Sequence, residues 1–472
     1  MRCSRPLPDR ARITQDAPVK IAFIIQRYGT EILGGSEYHC RLIAERMAVR
    51  HQVDVLTTCA REYTTWKNEY PEGTDRIRGV NVRRFANART RDLEAFNTLS
   101  DWIFNYPHTR EDELRWLEEQ GPWCPALLEY LQRSHQQYDI LIFFTYLYAP
   151  TVLGLAVAPG KSILVPTAHD EPAIHLGIYR ELFGTANAIA FNTESEKAFL
   201  MRTFGIRTTV DEIVGCGVDL LDTDGQGKPR RGVDAPLEGP LLQEGEGEPS
   251  PGTQKDGVAR GRRGRGPRPE RPVADRKRGI GEAFRRRHRL FGHVALYGGR
   301  IDPGKGCEEL FEYFSTYRES GGDATLALMG AKLMPIPETP WVRFAGMLPE
   351  VERLQALDAA DVVIVPSPLE SLSLLALEAM AMGTPVLCNA RAEVLVEHCR
   401  RSNAGLYYAD RDEFVEGLSL LMADDRLRSA MGRNGRDYVQ AQYRWEVILG
   451  KYDRLIGGLT GAGSPRAVSA GR

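Results

Sequence analysis

The stretch "HVALYGGRIDPGKGCEEL", residues 293–310, decides how the chain is read. It opens as a short apolar run and passes through a glycine-bearing turn holding Arg300 and Lys305. A helical pattern then runs from 307 to 319. Strand, glycine loop and helix in succession form the unit of a parallel α/β sheet, with the loop at the carboxyl end of its strand. The spacing is also one residue away from a P-loop: Gly299, four residues, Gly304, Lys305, and then Gly306 where Ser or Thr would ligate Mg²⁺. Residue 306 has no side chain for that task. The loop is either a defective nucleotide-hydrolysis loop or one whose arginine and lysine grip phosphate by another route.

The same texture extends in both directions. Apolar, β-branched-rich runs predict buried strands at 19–25, 51–58, 80–85, 138–146, 161–170 and 188–193, then at 324–330, 341–346, 360–367, 384–389 and 404–408. Helical patterns separate them, among them 36–49 with Ser36 as N-cap, 350–358 and 372–382. The fold class is α/β: two doubly wound, Rossmann-like domains facing across a cleft at the carboxyl ends of both sheets. The division expected is a polar leader (1–17), a first domain (18–221), an insertion (222–279), a second domain (280–438), a helix returning toward the first domain (439–458) and a frayed tail (459–472). The insertion is rich in Gly, Pro, Glu and Arg and poor in large apolar residues. It cannot offset its own ordering entropy, so disorder is expected there.

A chain of 472 residues is too long for one ordinary core. Its net charge of −2 gives no overall field toward nucleic acid. The eight cysteines are scattered without a C-x-x-C pair, which argues against zinc and for a reduced, cytoplasmic protein. No run approaches ~18 apolar residues, so no transmembrane span is expected; peripheral contact with the inner face of a membrane stays open.

The stretch "PSPLESLSLLALEAMAMGTPVL" (366–387) carries the most specific chemistry. Glu370 precedes a helix whose first residues, Ser371, Leu372, Ser373 and Leu374, offer free N–H groups and a positive dipole end, a seat for a diphosphate. Glu378 lies about two turns further on, so the two carboxylates could bracket that diphosphate and accept sugar hydroxyls. The plainer alternative makes Glu370 a cap and Glu378 a surface residue.

Glu370-x7-Glu378 followed by Ala-Met-Ala-x-Gly-Thr-Pro-Val resembles the donor-site motif of the group 1, family 4 retaining glycosyltransferases, which have the GT-B fold. "GGSE" (34–37), "GCGVDL" (215–220) and "YGGRIDPGKG" are similar, in order, to that family's glycine loop, domain-closing segment and phosphate clamp. The chain departs from the common Glu-Gly-Phe-Gly at its first glutamate, having Glu370-Ser371-Leu372-Ser373.

The resemblance implies an acceptor-side first domain and a nucleotide-sugar-binding second domain. It makes Arg300 and Lys305 the metal-free clamp on the leaving diphosphate, and Gly34 and Gly35 the loop approaching the donor. It makes Glu370, Ser371, Leu372, Ser373, Leu374 and Glu378 the donor site, and His169 the cleft histidine beside the transferred sugar, with Asp170 and Glu171 able to orient it or meet the acceptor. It implies no cofactor or metal, a nucleoside diphosphate sugar as co-substrate, backbone contacts around Phe344 to Leu348 for the base, and a glycan, lipid or small-molecule acceptor. By the same analogy the transfer is a front-face one that retains configuration.

A dinucleotide fingerprint fails, because the first loop places its glycines at 29, 34 and 35 and the second strand ends without an acidic residue. "DTD" (222–224) lies at the start of the insertion and is discounted as a metal motif. "REYTTWKNEYPEG" (61–73) could form part of an acceptor face or be a packed loop. A phosphorolytic enzyme of the same fold and a non-catalytic carbohydrate-binding or scaffold role remain as rivals.

Overall fold

The computed structural model describes residues 18–32, 34–220 and 280–461. The expectations for the leader 1–17, the insertion 222–279 with its "DTD", and the tail beyond 461 fall outside the described residues.

The first sheet has eight strands: β1 (Lys20–Ile24), β2 (Gln52–Thr58), β3 (Gly73–Ile77), β4 (Val80–Phe85), β5 (Ile140–Phe144), β6 (Ser162–Val165), β7 (Ala188–Phe191) and β8 (Val210–Ile213). Their order is β3-β4-β2-β1-β5-β6-β7-β8. All neighbours pair in parallel except β3, which runs antiparallel to β4. The second sheet holds β9 (Val294–Gly298), β10 (Thr325–Met329), β11 (Val342–Gly346), β12 (Val362–Val365), β13 (Val386–Asn389) and β14 (Gly405–Tyr408). It is wholly parallel, in the order β11-β10-β9-β12-β13-β14.

The pleat explains the continuous apolar runs. Ile21 and Phe23 face one core while Ala22 and Ile24 face another, and Ile142 and Phe143 divide the same way on β5. Both faces of each sheet are covered, as parallel sheets require. Two Rossmann-like halves with their loops facing one another make the GT-B arrangement. In both sheets the strand order reverses beside the first strand, between β1 and β5 and between β9 and β12. A crevice opens at each of these points.

Five readings need correction. The strands β3 and β8 escaped the reading because "GTDRI" and "VDEI" lack an apolar run; β3 is an exposed edge. The first helix is Gly35–Met47 with Gly34 at the cap, and Ser36 turns its hydroxyl to Glu37 at 2.9 Å instead of capping. The helix expected from 372 begins at Leu374, because Ser373 takes a left-handed conformation with φ 60°. Residues 439–458 are not one helix: Asp425–Gln442 ends, and Trp445–Gly461 begins afresh. At the break, the Tyr443 carbonyl accepts from the Val218 N–H at 2.8 Å, which turns the chain back onto the first half. That second helix persists through 461, past the expected fraying point at 459.

Candidate active site

The loops after β1, β5, β6, β9 and β12 converge on one cleft of about 1300 Å³. Gly34, Gly35, His169, Arg300, Lys305, Glu370, Ser371, Leu372, Ser373, Leu374 and Glu378 all line it. Residues more than 300 positions apart therefore share one concave surface, because the loops and helix starts that follow these strands converge on it.

On the second half, Lys305 belongs to a single 3₁₀ turn, Pro303–Lys305, capped by Asp302 through its side chain. Its ammonium donates to Glu370 Oε1 at 2.8 Å and to Ser367 Oγ at 3.4 Å. Arg300 stands 3.3 Å from Asp302 and lies over the Tyr63 ring, 5.3 Å from its centroid. Gly306 explains why the loop could never end as a P-loop. It has φ 72°, and a Cβ there would meet the Pro366 carbonyl oxygen at 2.3 Å. A Ser or Thr is excluded by both strain and space.

The Glu370–Leu374 loop is held from behind by His398. The ring is fully buried; its Nε2–H donates to the Leu372 carbonyl at 2.8 Å and its Nδ1 accepts from the Tyr438 hydroxyl at 3.1 Å. Burial lowers the pKa of this imidazole. Glu378 is also buried, and it pairs with Arg353, which donates in turn to the Tyr38 hydroxyl at 2.9 Å. Glu378 is therefore an ion-pair partner in a contact between the halves, not a freely exposed helix carboxylate.

On the first half, a Cβ on Gly34 would lie 1.8 Å from Glu37 Oε2, while one on Gly35 would meet nothing within 4 Å. Glu37 accepts from Arg27 at 2.6 and 2.9 Å. Burial works against a charged Glu37, but the Arg27 guanidinium holds its carboxyl below the usual range. Arg27 also lies over the Tyr63 ring, so Tyr63 has cations from both halves on it. The stretch 61–73 thus contributes Tyr63 to the cleft.

His169 Nε2 lies 3.5 Å from Glu171 Oε2, and the Tyr146 hydroxyl donates to Glu171 Oε1 at 2.5 Å. Burial opposes ionisation of Glu171; hydrogen bonds from His169 and Tyr146 outweigh it and lower its pKa. Asp170 instead turns outward to His175 at 2.8 Å. Behind His169, the fully buried Glu196 accepts from the Ala168 N–H at 2.6 Å and the Asn192 N–H at 2.5 Å. Its burial pushes its carboxyl up to about 8. The base-reading segment expected at 344–348 includes Met347 and Leu348, which line the cleft.

Residues 292–424 match the family model described as "Glycosyl transferases group 1". A GDP-mannose-dependent monoacylated alpha-(1-6)-phosphatidylinositol monomannoside mannosyltransferase of Corynebacterium glutamicum is 26% identical over 169 residues, covering 33% of this chain and 44% of that protein. A D-inositol 3-phosphate glycosyltransferase of Corynebacterium jeikeium is 36% identical over 124 residues, 26% of this chain and 29% of the relative. The chain spans less than half the length of the curated relatives it matches.

Among solved structures, sucrose-phosphate synthase of Thermosynechococcus elongatus superposes with TM-score 0.60 at 18% identity, covering 95% of this chain and 100% of that one. HepE of Anabaena, solved with UDP-glucose, gives 0.59 at 15% identity, covering 94% and 100%. At these identities the likeness shows the fold.

Proposed function

We propose that the protein is a retaining glycosyltransferase of the family 4 type. It moves a hexose from a nucleoside diphosphate sugar to a glycan, lipid or small-molecule acceptor in the cytoplasm, without a metal ion or cofactor. The observation that carries this reading is the Lys305–Glu370 ion pair, with Arg300 on the same loop and the N-terminus of helix Leu374–Met382 alongside, all in one cleft. A bound diphosphate takes the charge of Lys305 and Arg300 and the free N–H groups of the helix. Glu370, relieved of its lysine, accepts a donor-sugar hydroxyl. Two cations and a dipole end offset the charge that develops as the bond to the diphosphate breaks.

His169 faces this cluster from the other half, with Glu171 fixing its ring. It donates to a hydroxyl of the transferred sugar while the leaving diphosphate takes the acceptor's proton. The matched relatives and the UDP-glucose complex of HepE support a nucleotide-sugar donor.

Thermal unfolding with UDP, GDP, ADP and ATP, each with Mg²⁺ and with EDTA, tests the reading. Stabilisation by one nucleoside diphosphate in EDTA is expected and identifies the base. Stabilisation only by ATP with Mg²⁺ would sink the proposal. The anomeric configuration of the product, read by NMR, tests retention.

A further inference from the structure

The two halves also meet outside the cleft. Glu397, on helix Glu393–Ser402 of the second half, accepts from the Ser195 N–H at 2.8 Å and from its hydroxyl at 2.5 Å. Ser195 is in the first turn of helix Glu194–Phe204, so the carboxylate meets an N–H that the helix leaves open, at its positive end. The Glu397 side chain is only 13% exposed. Burial opposes its ionisation, yet the bonds from Ser195, together with Arg401, hold its pKa below the usual carboxylate range. Neither Ser195 nor Glu397 lines the cleft.

Each partner in this contact adjoins a residue that holds a cleft loop. Beside Glu397, His398 grips the Leu372 carbonyl within the Glu370–Leu374 loop. Beside Ser195, Glu196 grips the N–H of Ala168, the residue before His169. Both loops contain a non-glycine residue in the left-handed region, Ser373 at φ 60° and Thr167 at φ 51°. Such conformations persist where surrounding bonds over-determine them. Successive helix residues point about 100° apart, so one side chain crosses to the other half while the next turns to its own loop.

We propose that the Ser195–Glu397 contact is a latch that sets the distance between His169 and the Glu370–Leu374 loop, and that Glu397 is a positioning residue for the transfer step. Each loop rides with its own helix, so a shift at the latch moves the two loops relative to one another without loosening either. In the proposed function Arg300, Lys305 and the helix Leu374–Met382, all in the second half, hold the diphosphate, whereas transfer also needs His169 of the first half. The kinetic part of this inference rests on the proposed function; the geometric part does not.

The test uses the full chain with UDP-glucose and GDP-mannose, following release of UDP or GDP. In Glu397→Ala, kcat is expected to fall at least about tenfold, in line with the cost of small misplacements of reacting groups. The donor KM stays within about twofold of wild type, since the nucleotide site is intact. Glu397→Gln keeps an oxygen for Ser195 and recovers most of the rate. Arg401→Ala removes the surface partner of Glu397 and a guanidinium 6.0 Å from the Tyr438 ring centroid but keeps both Ser195 bonds, and it leaves kcat unchanged.

Should Glu397→Ala not fold, Ser195→Ala removes the hydroxyl bond alone and is expected to lower kcat in the same direction. If the wild-type chain turns over neither donor, the proposed transfer from these sugars fails, and small-angle scattering decides the latch. Glu397→Ala should then show a larger radius of gyration than wild type and Glu397→Gln. A folded alanine variant with wild-type kcat, or with wild-type scattering in the absence of turnover, overturns the latch, as does a loss confined to KM.

Discussion

Tyr38 in the first half and Arg353 in the second are joined by a 2.9 Å hydrogen bond within the cleft, and the same guanidinium pairs with Glu378. Arg353 is thus the cation that ties a donor-side carboxylate to the opposite domain. Glu378→Ala leaves that cation largely buried without its counter-charge, at an expected cost of about 3 kcal/mol in urea unfolding. Tyr38→Phe removes only the bond between the halves and is expected to cost about 1 kcal/mol. A Glu378→Ala chain as stable as wild type would show that the ion pair does not hold in solution.

Lys305→Ala removes the clamp where the side chain is 30% exposed. The melting temperature is expected to change by no more than a few degrees, as for other partly exposed ion pairs. Turnover of the nucleotide sugar should fall about 10²–10³-fold, the range for loss of one group stabilising developing charge. Melting curves and donor kinetics on the same preparation check both halves of this expectation.

The adjacent glycines of the first loop should behave differently. Gly34→Ala drives a methyl group into the Glu37 carboxylate and so disturbs its pair with Arg27, at an expected cost of about 1–3 kcal/mol. Gly35→Ala meets no neighbour and should be close to neutral in stability. Denaturant unfolding of the two variants side by side checks the contrast; equal losses would contradict it.

His39 supplies a pH dependence away from the cleft. It is buried, its Nε2 lies 3.2 Å from the Gly215 carbonyl, and burial lowers its pKa from 6.5 to about 4. Between those values the unfolded chain binds a proton that the folded chain does not. The stability is therefore present above pH 6.5 and is lost as pH falls toward 4, by up to about 3 kcal/mol. Glu196, its carboxyl raised to about 8, titrates over the same range with the opposite sign, so the His39 slope is read as a difference. Urea unfolding at pH 7, 5.5 and 4.5 should show wild type losing more stability toward low pH than His39→Gln, whose amide can still donate to Gly215.

Strands buried on both faces were legible because their apolar runs are unbroken, as in "ILIFF" of β5. The polar edge β3 was not legible, since nothing in "GTDRI" distinguishes a paired edge from a loop. That Arg300, Lys305 and Glu370 would line one cleft was legible because each sits in a loop directly after a strand, where sequence order and spatial position agree. Arg353, Tyr38, His398 and Glu196 could not. Each does its work on a helix, through a partner set by packing, and a lone His or Arg in a helical pattern carries no sign of what it will touch. Ser373 misled the reading of its helix start because a serine in the left-handed region is uncommon, and the bond from His398 to the preceding carbonyl is invisible in sequence.

The helix Trp445–Gly461 has a consequence for how the molecule is made. Ile448, Tyr452 and Leu455 are each no more than 1% exposed and join the same core as Ile21 and Phe23 of β1. During synthesis, β1 through β8 leave the ribosome more than 200 residues ahead of the helix that covers the β7–β8 end of one face. Domains ordinarily fold in turn as they emerge. Here the β7–β8 end of the first half keeps an uncovered apolar surface until the second half has been translated. Truncation before residue 445 would therefore damage the half of the protein farthest from the cut.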